Sequence, residues 1–204
     1  MTAPTDDQQA AEQYNYGSAS WQGGFAQESP SWCFAAIEKS VKNSMGGAVK
    51  EQAERAYEVA AALIAIGLRD DDALPPGLLD QIHYIAAVED ADGHKSETEL
   101  RPYLEVSADH DLAGLLQQVW GAPNFDDVAH VAGGALTVDD MRATIDANGL
   151  IAYGDHQHWR IVYGYTVNAD SSVQAWVFDP WGGGSYTTED YDDVRAATQL
   201  SYRF

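Results

Sequence analysis

The chain changes its pattern at Gly149, and that change bounds the fold more than any other feature. Beyond it, 150–153, 158–167, 173–178 and 198–204 are short runs rich in β-branched and aromatic residues, parted by turn formers such as Asn168-Ala169-Asp170-Ser171. Before it, apolar residues recur at helical spacing. Phe34, Ala35, Ala36, Ile37 and Val41 form one set, and Ala53, Ala56, Tyr57, Ala60, Leu63 and Ile64 form a second within residues 50–68. Residues 78–88, which contain His83, and 111–120 continue the series, and Thr137 with Asp139 and Asp140 caps a helix that stops at Asn148-Gly149. One more short capped helix is expected over 187–194, and 121–134 reads as loop. Helices followed by an antiparallel sheet make an α+β arrangement, with a helical part at 26–148 and a sheet part at 149–204 in a single domain. Residues 1–25 are expected to form a mobile or covering N-terminal segment, in which Tyr14 to Phe25 is an extended stretch rich in Gly, Ser and aromatics that is placed to occlude a cleft.

The single cysteine, Cys33, opens the first of these helices, behind the helix-starting residues Ser29, Pro30 and Ser31. Glu38 and Lys39 fall on the face opposite its apolar stripe. A sulfur in the first turn meets unpaired backbone N–H groups and the positive end of the macrodipole, which favour a thiolate. The plain alternative is a small buried hydrophobe. One cysteine forms no internal disulfide, so the fold does not depend on an oxidising compartment.

A thiol nucleophile needs a base to take and return its proton, and the base needs an acceptor that fixes its tautomer. His158 starts one predicted strand and Asp179 ends its hairpin partner, so the two are placed to meet. Strand alternation puts His156 on the same face, which leaves it open as the base. The Asp155-x-x-His158 and His156-x-His158 spacings also admit zinc, against which stands the lack of a second thiolate. Asp90, Asp92, Gly93 and Glu99 echo a calcium loop, but Val88 holds its first place and Lys95 stands where an apolar residue belongs. The Gly182-Gly183-Gly184 run lacks the Lys of a phosphate-binding loop and reads as a flexible connection.

Three local patterns, in order, resemble the papain-like cysteine peptidases: Gln27 six residues before Cys33, His158 followed by Gly164 and Tyr165, and Asp179 followed two places on by Trp181. An Asp followed by Pro180, with no second cysteine near the first, is most similar to the compact bacterial branch that includes bacteriocin-leader peptidases and an effector protease of plant pathogens. The resemblance covers these motifs and the helix-then-sheet order, not residues 45–135. It implies a papain-like fold in which an N-terminal helical lobe, with the Cys at a helix N-terminus, packs on a C-terminal antiparallel sheet lobe. It also implies Cys33 as nucleophile, His158 as its proton partner in a thiolate–imidazolium pair, and Asp179 as the group orienting His158. Gln27 and the Cys33 backbone N–H would form the oxyanion hole, and Trp181 would shield the His–Asp hydrogen bond. No metal or organic cofactor is implied. Trp32 and Phe34 depart from the family pattern around the cysteine and are expected to narrow the cleft or shape a subsite.

A formal charge of −21, from 32 acidic residues against 11 Lys and Arg, sets the surface against phosphate backbones and anionic lipid. The expected partner is therefore a peptide or protein substrate, with neither nucleic acid nor membrane; oligomeric state is not legible. Residues 1–13 carry no secretory pattern and no apolar run reaches spanning length, so the expectation is a cytoplasmic protein, or one exported by a route without a visible signal. Three functions follow: a cysteine peptidase; the same triad acting as transglutaminase, peptide ligase or deamidase; and a non-catalytic binding module on the same fold.

Overall fold

A computed structural model describes residues 13–29, 32–56, 58–59, 120–154 and 158–204. The expected helices over 78–88 and 111–119, His83, and the calcium-like residues Asp90, Asp92, Gly93 and Glu99 lie outside them. So do Pro30, Ser31, Asp155 and His156.

Seven strands among the described residues form one antiparallel sheet. They are β1 (Tyr14–Gly17), β2 (Val131–Gly133), β3 (Ile151–Gly154), β4 (Trp159–Val167), β5 (Val173–Asp179), β6 (Ser185–Asp190) and β7 (Leu200–Arg203). The order across the sheet is β2, β7, β3, β4, β5, β6, and β1 adds to the far half of β4 beyond β3. Three α-helices flank it: α1 (Cys33–Met45), α2 (Val138–Asp146) and α3 (Tyr191–Ala196). Residues 52–56 and 58–59 are also helical. The architecture is thus α+β, with a helical N-terminal part and a sheet in the C-terminal part. No helix among the described residues is long and apolar enough to cross a membrane.

Both faces of the central strands are covered, which is why β3 reads as an unbroken apolar run rather than an alternating one. On one face Ala152, Trp159, Ile161, Phe178 and Tyr202 pack against Cys33, Phe34, Ile37 and Val41 of α1. On the other, Ile151, Tyr153, Val162, Tyr165 and Val177 pack against Met141 and Ile145 of α2 and Val194 of α3. Thr137 caps α2, its side chain accepting the Asp140 N–H at 3.1 Å, and Asn148 takes a positive φ just beyond, as the stop signal requires.

Two expectations change. The 187–194 helix is instead β6 followed by α3, because 185–190 finds β5 to pair with, and its place at the sheet edge leaves its residues largely exposed. Within 121–134, residues 131–133 are strand, paired to β7. In both cases a tertiary partner overrides a weak local preference.

Helix α1 is buried on every side, with ten of its thirteen residues buried, so its polar residues must find partners within the protein. Glu38, read from the sequence as solvent-facing, is 2% exposed. Its carboxylate takes Arg55 Nη2 at 2.5 Å, Lys42 Nζ at 3.2 Å and Trp120 Nε1–H at 2.8 Å. Residues 18–28 run along the same helix: the Gln22 N–H donates to Ser44 Oγ at 3.2 Å and the Phe25 N–H to Ser40 Oγ at 2.9 Å. This stretch completes the cover of α1.

Glu38→Leu is expected to lower stability by about 2 kcal/mol, since it leaves Lys42 with Asp127 alone and Arg55 with Glu58 alone and takes the acceptor from the buried Trp120 N–H. Urea unfolding checks this: the midpoint should fall with the slope unchanged.

Candidate active site

Cys33 is the first residue of α1, and the N-cap residue Trp32 makes no side-chain cap. No acidic side chain stands in the first turn, so the helix-terminal amides are left to the sulfur. Backbone N–H groups of Trp159, Phe34 and Cys33 itself lie near enough to lower its thiol. Trp159 directly follows His158, so the sulfur lies near the end of β4 where the histidine stands.

Burial nevertheless decides the protonation. The cysteine is 7% exposed, and desolvation pushes its thiol from 9.0 up to about 11, against the three N–H donors and with the Asp179 carboxylate adding to the rise. Loss of water around the sulfur thus works against the thiolate that the helix terminus favours.

His158 Nε2 lies 2.7 Å from Asp179 Oδ1. A carboxylate accepts only, so Nε2 carries the ring proton in the neutral tautomer and Nδ1 presents the lone pair. The same Oδ1 accepts the Trp181 backbone N–H at 2.9 Å, and Oδ2 accepts Arg160 Nε–H at 3.0 Å. Burial would raise the Asp179 carboxyl, but these donors together hold it below its ordinary value. The Trp181 ring stands edge-on to His158 at 6.2 Å while remaining 48% exposed, so it shelters one side of the hydrogen bond only.

Arg160 was not read as a site residue. It lies two places after His158, on the same face of β4, and the register that pairs Ile161 with Phe178 sets it opposite Asp179. That register depends on a bulge at Tyr163: the pairing runs Gly164 with Trp176, then Val162 with Val177. Continued without the extra residue, it would set Asp179 opposite Ile161, on the face packed against α1 and away from Arg160. Beside the bulge, Gly164 has no alternative, since a Cβ there would fall 2.3 Å from the Trp176 ring and 2.8 Å from the Tyr16 carbonyl oxygen.

Gln27 is tied at both ends. Its Nε2–H donates to the Ser29 carbonyl and its backbone N–H to the Pro180 carbonyl, each at 2.9 Å. The second bond joins the approach to Cys33 to the loop after Asp179. Trp32 and Phe34 are not cleft residues: both are buried in the core between α1 and the sheet, with Phe34 edge-on to Trp120 at 5.5 Å. The glycines after Trp181 take positive φ at 182, 183 and 184, which turns the chain from β5 into β6.

The structure therefore brings Cys33, His158, Asp179, Gln27 and Trp181 to one end of β4 and β5, and adds Arg160. No protein-family model matches the chain, and a search of curated proteins finds no match.

The sulfur supplies a pH prediction. The folded state holds the thiol proton more tightly than an unfolded chain, so stability should fall as pH rises from 9.0 through about 11. Urea midpoints at about pH 8 and about pH 10.5 should show a larger drop for the wild type than for Cys33→Ala. Equal drops would show that the sulfur binds its proton equally in the folded and unfolded chain.

Proposed function

We propose that the protein is a papain-like cysteine peptidase of the compact Cys-His-Asp kind. The observation that carries the reading is the His158–Asp179 hydrogen bond at 2.7 Å, made through Nε2, which leaves Nδ1 as the base nitrogen at the end of β4, near which Cys33 lies. The order of the sequence motifs supports it independently.

With the thiol protonated at rest, proton transfer accompanies attack. The Cys33 proton passes to His158 Nδ1 as Sγ bonds to the carbonyl carbon of a peptide. The carbonyl oxygen takes up the negative charge, stabilised by the Gln27 side-chain N–H and the Cys33 backbone N–H. Collapse breaks the C–N bond, the leaving amine takes its proton from His158, and the thioester remains on Cys33. Water, giving a proton to His158, then releases the acid and restores the thiol. Asp179 keeps the imidazole in the working tautomer and stabilises the imidazolium, and Arg160 steadies the carboxylate from its other oxygen. An amine in place of water would make the same residues a transferase or ligase, and a side-chain amide substrate would make them a deamidase. The substrate in the leading reading is a peptide or protein.

One observation favours a second reading, a binding module on this fold that does not turn over: the sulfur is buried and its thiol is held high. Incubation with an unfolded protein, followed by mass spectrometry of the products, separates the two. Peptidase activity is expected to vanish in Cys33→Ala, to fall by about 10³-fold or more in His158→Ala, and to fall strongly in Asp179→Asn. A wild type that neither cleaves nor acquires a mass from a peptidyl electrophile at Cys33 would establish the binding module.

A further inference from the structure

Gln52 is the first of the helical residues 52–56 and 58–59, is 1% exposed, and belongs to none of the motifs above. Both ends of its amide are committed to the chain on either side of Gln27. Nε2–H donates to the Ala26 carbonyl at 2.8 Å, and Oε1 accepts the Glu28 N–H at 3.0 Å. One planar amide thus behaves as a strand partner would, pairing with the carbonyl before Gln27 and the N–H after it. The Gln27 N–H is bound from the other side by the Pro180 carbonyl at 2.9 Å. Held at 26, 27 and 28, the backbone at Gln27 has little freedom to rotate.

The helix carrying Gln52 is in turn anchored to α1. Arg55 Nη2 reaches Glu38 at 2.5 Å, and Glu51 receives Lys39 Nζ at 2.5 Å. Cys33 and Glu38 lie on the same helix, so Gln27 and the sulfur are referenced to one rigid body although five residues separate them along the chain. An oxyanion donor works only when held in place beforehand, because a displacement of about 1 Å can cost about 10²-fold in rate.

We infer that Gln52 is a positioning residue for the oxyanion hole, acting through Gln27. The inference rests on the peptidase reading and concerns a residue that touches neither substrate nor sulfur. Its signature is a loss confined to steps that build an oxyanion. Gln52→Leu removes both hydrogen bonds at similar volume; Gln52→Glu keeps the acceptor for the Glu28 N–H and loses the donor to Ala26.

The experiment compares wild type, Gln27→Ala, both Gln52 variants, and Gln27→Ala combined with each. Three quantities are read for each: turnover of an unfolded protein, affinity for a peptidyl aldehyde that adds reversibly to Cys33, and the rate of Cys33 alkylation by iodoacetamide. The aldehyde adduct places an oxygen in the hole, whereas alkylation builds none.

The expected result is a kcat loss of about 10- to 100-fold in Gln52→Leu, a smaller loss in Gln52→Glu, and a parallel weakening of the aldehyde with KM nearly unchanged. Alkylation should change less than about 2-fold, and in the Gln27→Ala background the Gln52 substitutions should add almost nothing. Losses that multiply with that of Gln27→Ala, or that fall equally on alkylation, would show that Gln52 supports the fold at large and overturn the inference. Full activity in both Gln52 variants, or in Gln27→Ala, would overturn it as well. In each of those cases wild-type turnover persists and the peptidase reading stands. A wild type that neither turns over nor binds the aldehyde removes both.

Discussion

Helix α1 lies under cover on all sides, and the rest of the structure is arranged to make that tolerable. A helix that carries Glu38, Lys39, Ser40, Lys42 and Ser44 cannot be surrounded by apolar groups alone without leaving charges and hydroxyls unpartnered. The protein supplies Arg55 and the Trp120 indole N–H to Glu38, Asp127 to Lys42 at 3.0 Å, and the backbone of residues 22 and 25 to the two serines. The same arrangement fixes where the helix begins. Its first residue is held against the end of β4, and the approach to it is pinned by Gln52 and Pro180.

Burial has a chemical consequence at that first residue. The amides of a helix terminus lower a thiol when water can still reach it; around Cys33 the loss of hydration is larger, and the thiol is pushed up. In the proposed reading the sulfur therefore depends on a base to take its proton as it attacks. His158 is set for that role: one ring nitrogen is committed to Asp179, whose two oxygens take three donors from β4, from the loop after β5 and from the histidine itself. The carboxylate is fixed in position by groups that come from the sheet, so the orientation of the imidazole follows from strand register.

Much of this was legible along the chain. The helix at Cys33, the caps at Thr137 and Asn148, and the strands from 150 onward follow from periodicity and turn chemistry acting over a few residues. Cys33, His158 and Asp179 were visible because thiol, imidazole and carboxylate are groups that few side chains supply, and Gln27 and Trp181 only through the family resemblance of the motifs that hold them. β6 was misread because Thr187, Glu189 and Asp190 fit a helix start as readily as an exposed edge strand, and only the presence of β5 selects the strand. Glu38 was placed in solvent because helical spacing reports which face is apolar, not whether a second layer covers the polar one.

Local chemistry determined the helix-then-sheet order and the separate motifs at Cys33, His158 and Asp179, since each depends on neighbours a few positions apart. The tertiary structure decided their relation. One extra residue at Tyr163 sets the phase between β4 and β5, and that phase puts Asp179 on the face of Arg160 and within reach of His158. Packing around α1 decided that the Cys33 thiol is pushed up, because hydration is lost to contacts from distant parts of the chain. Neither result can be read from spacing, because a bulge and a burial are properties of two strands or two layers meeting, and the sequence of one segment does not contain its partner.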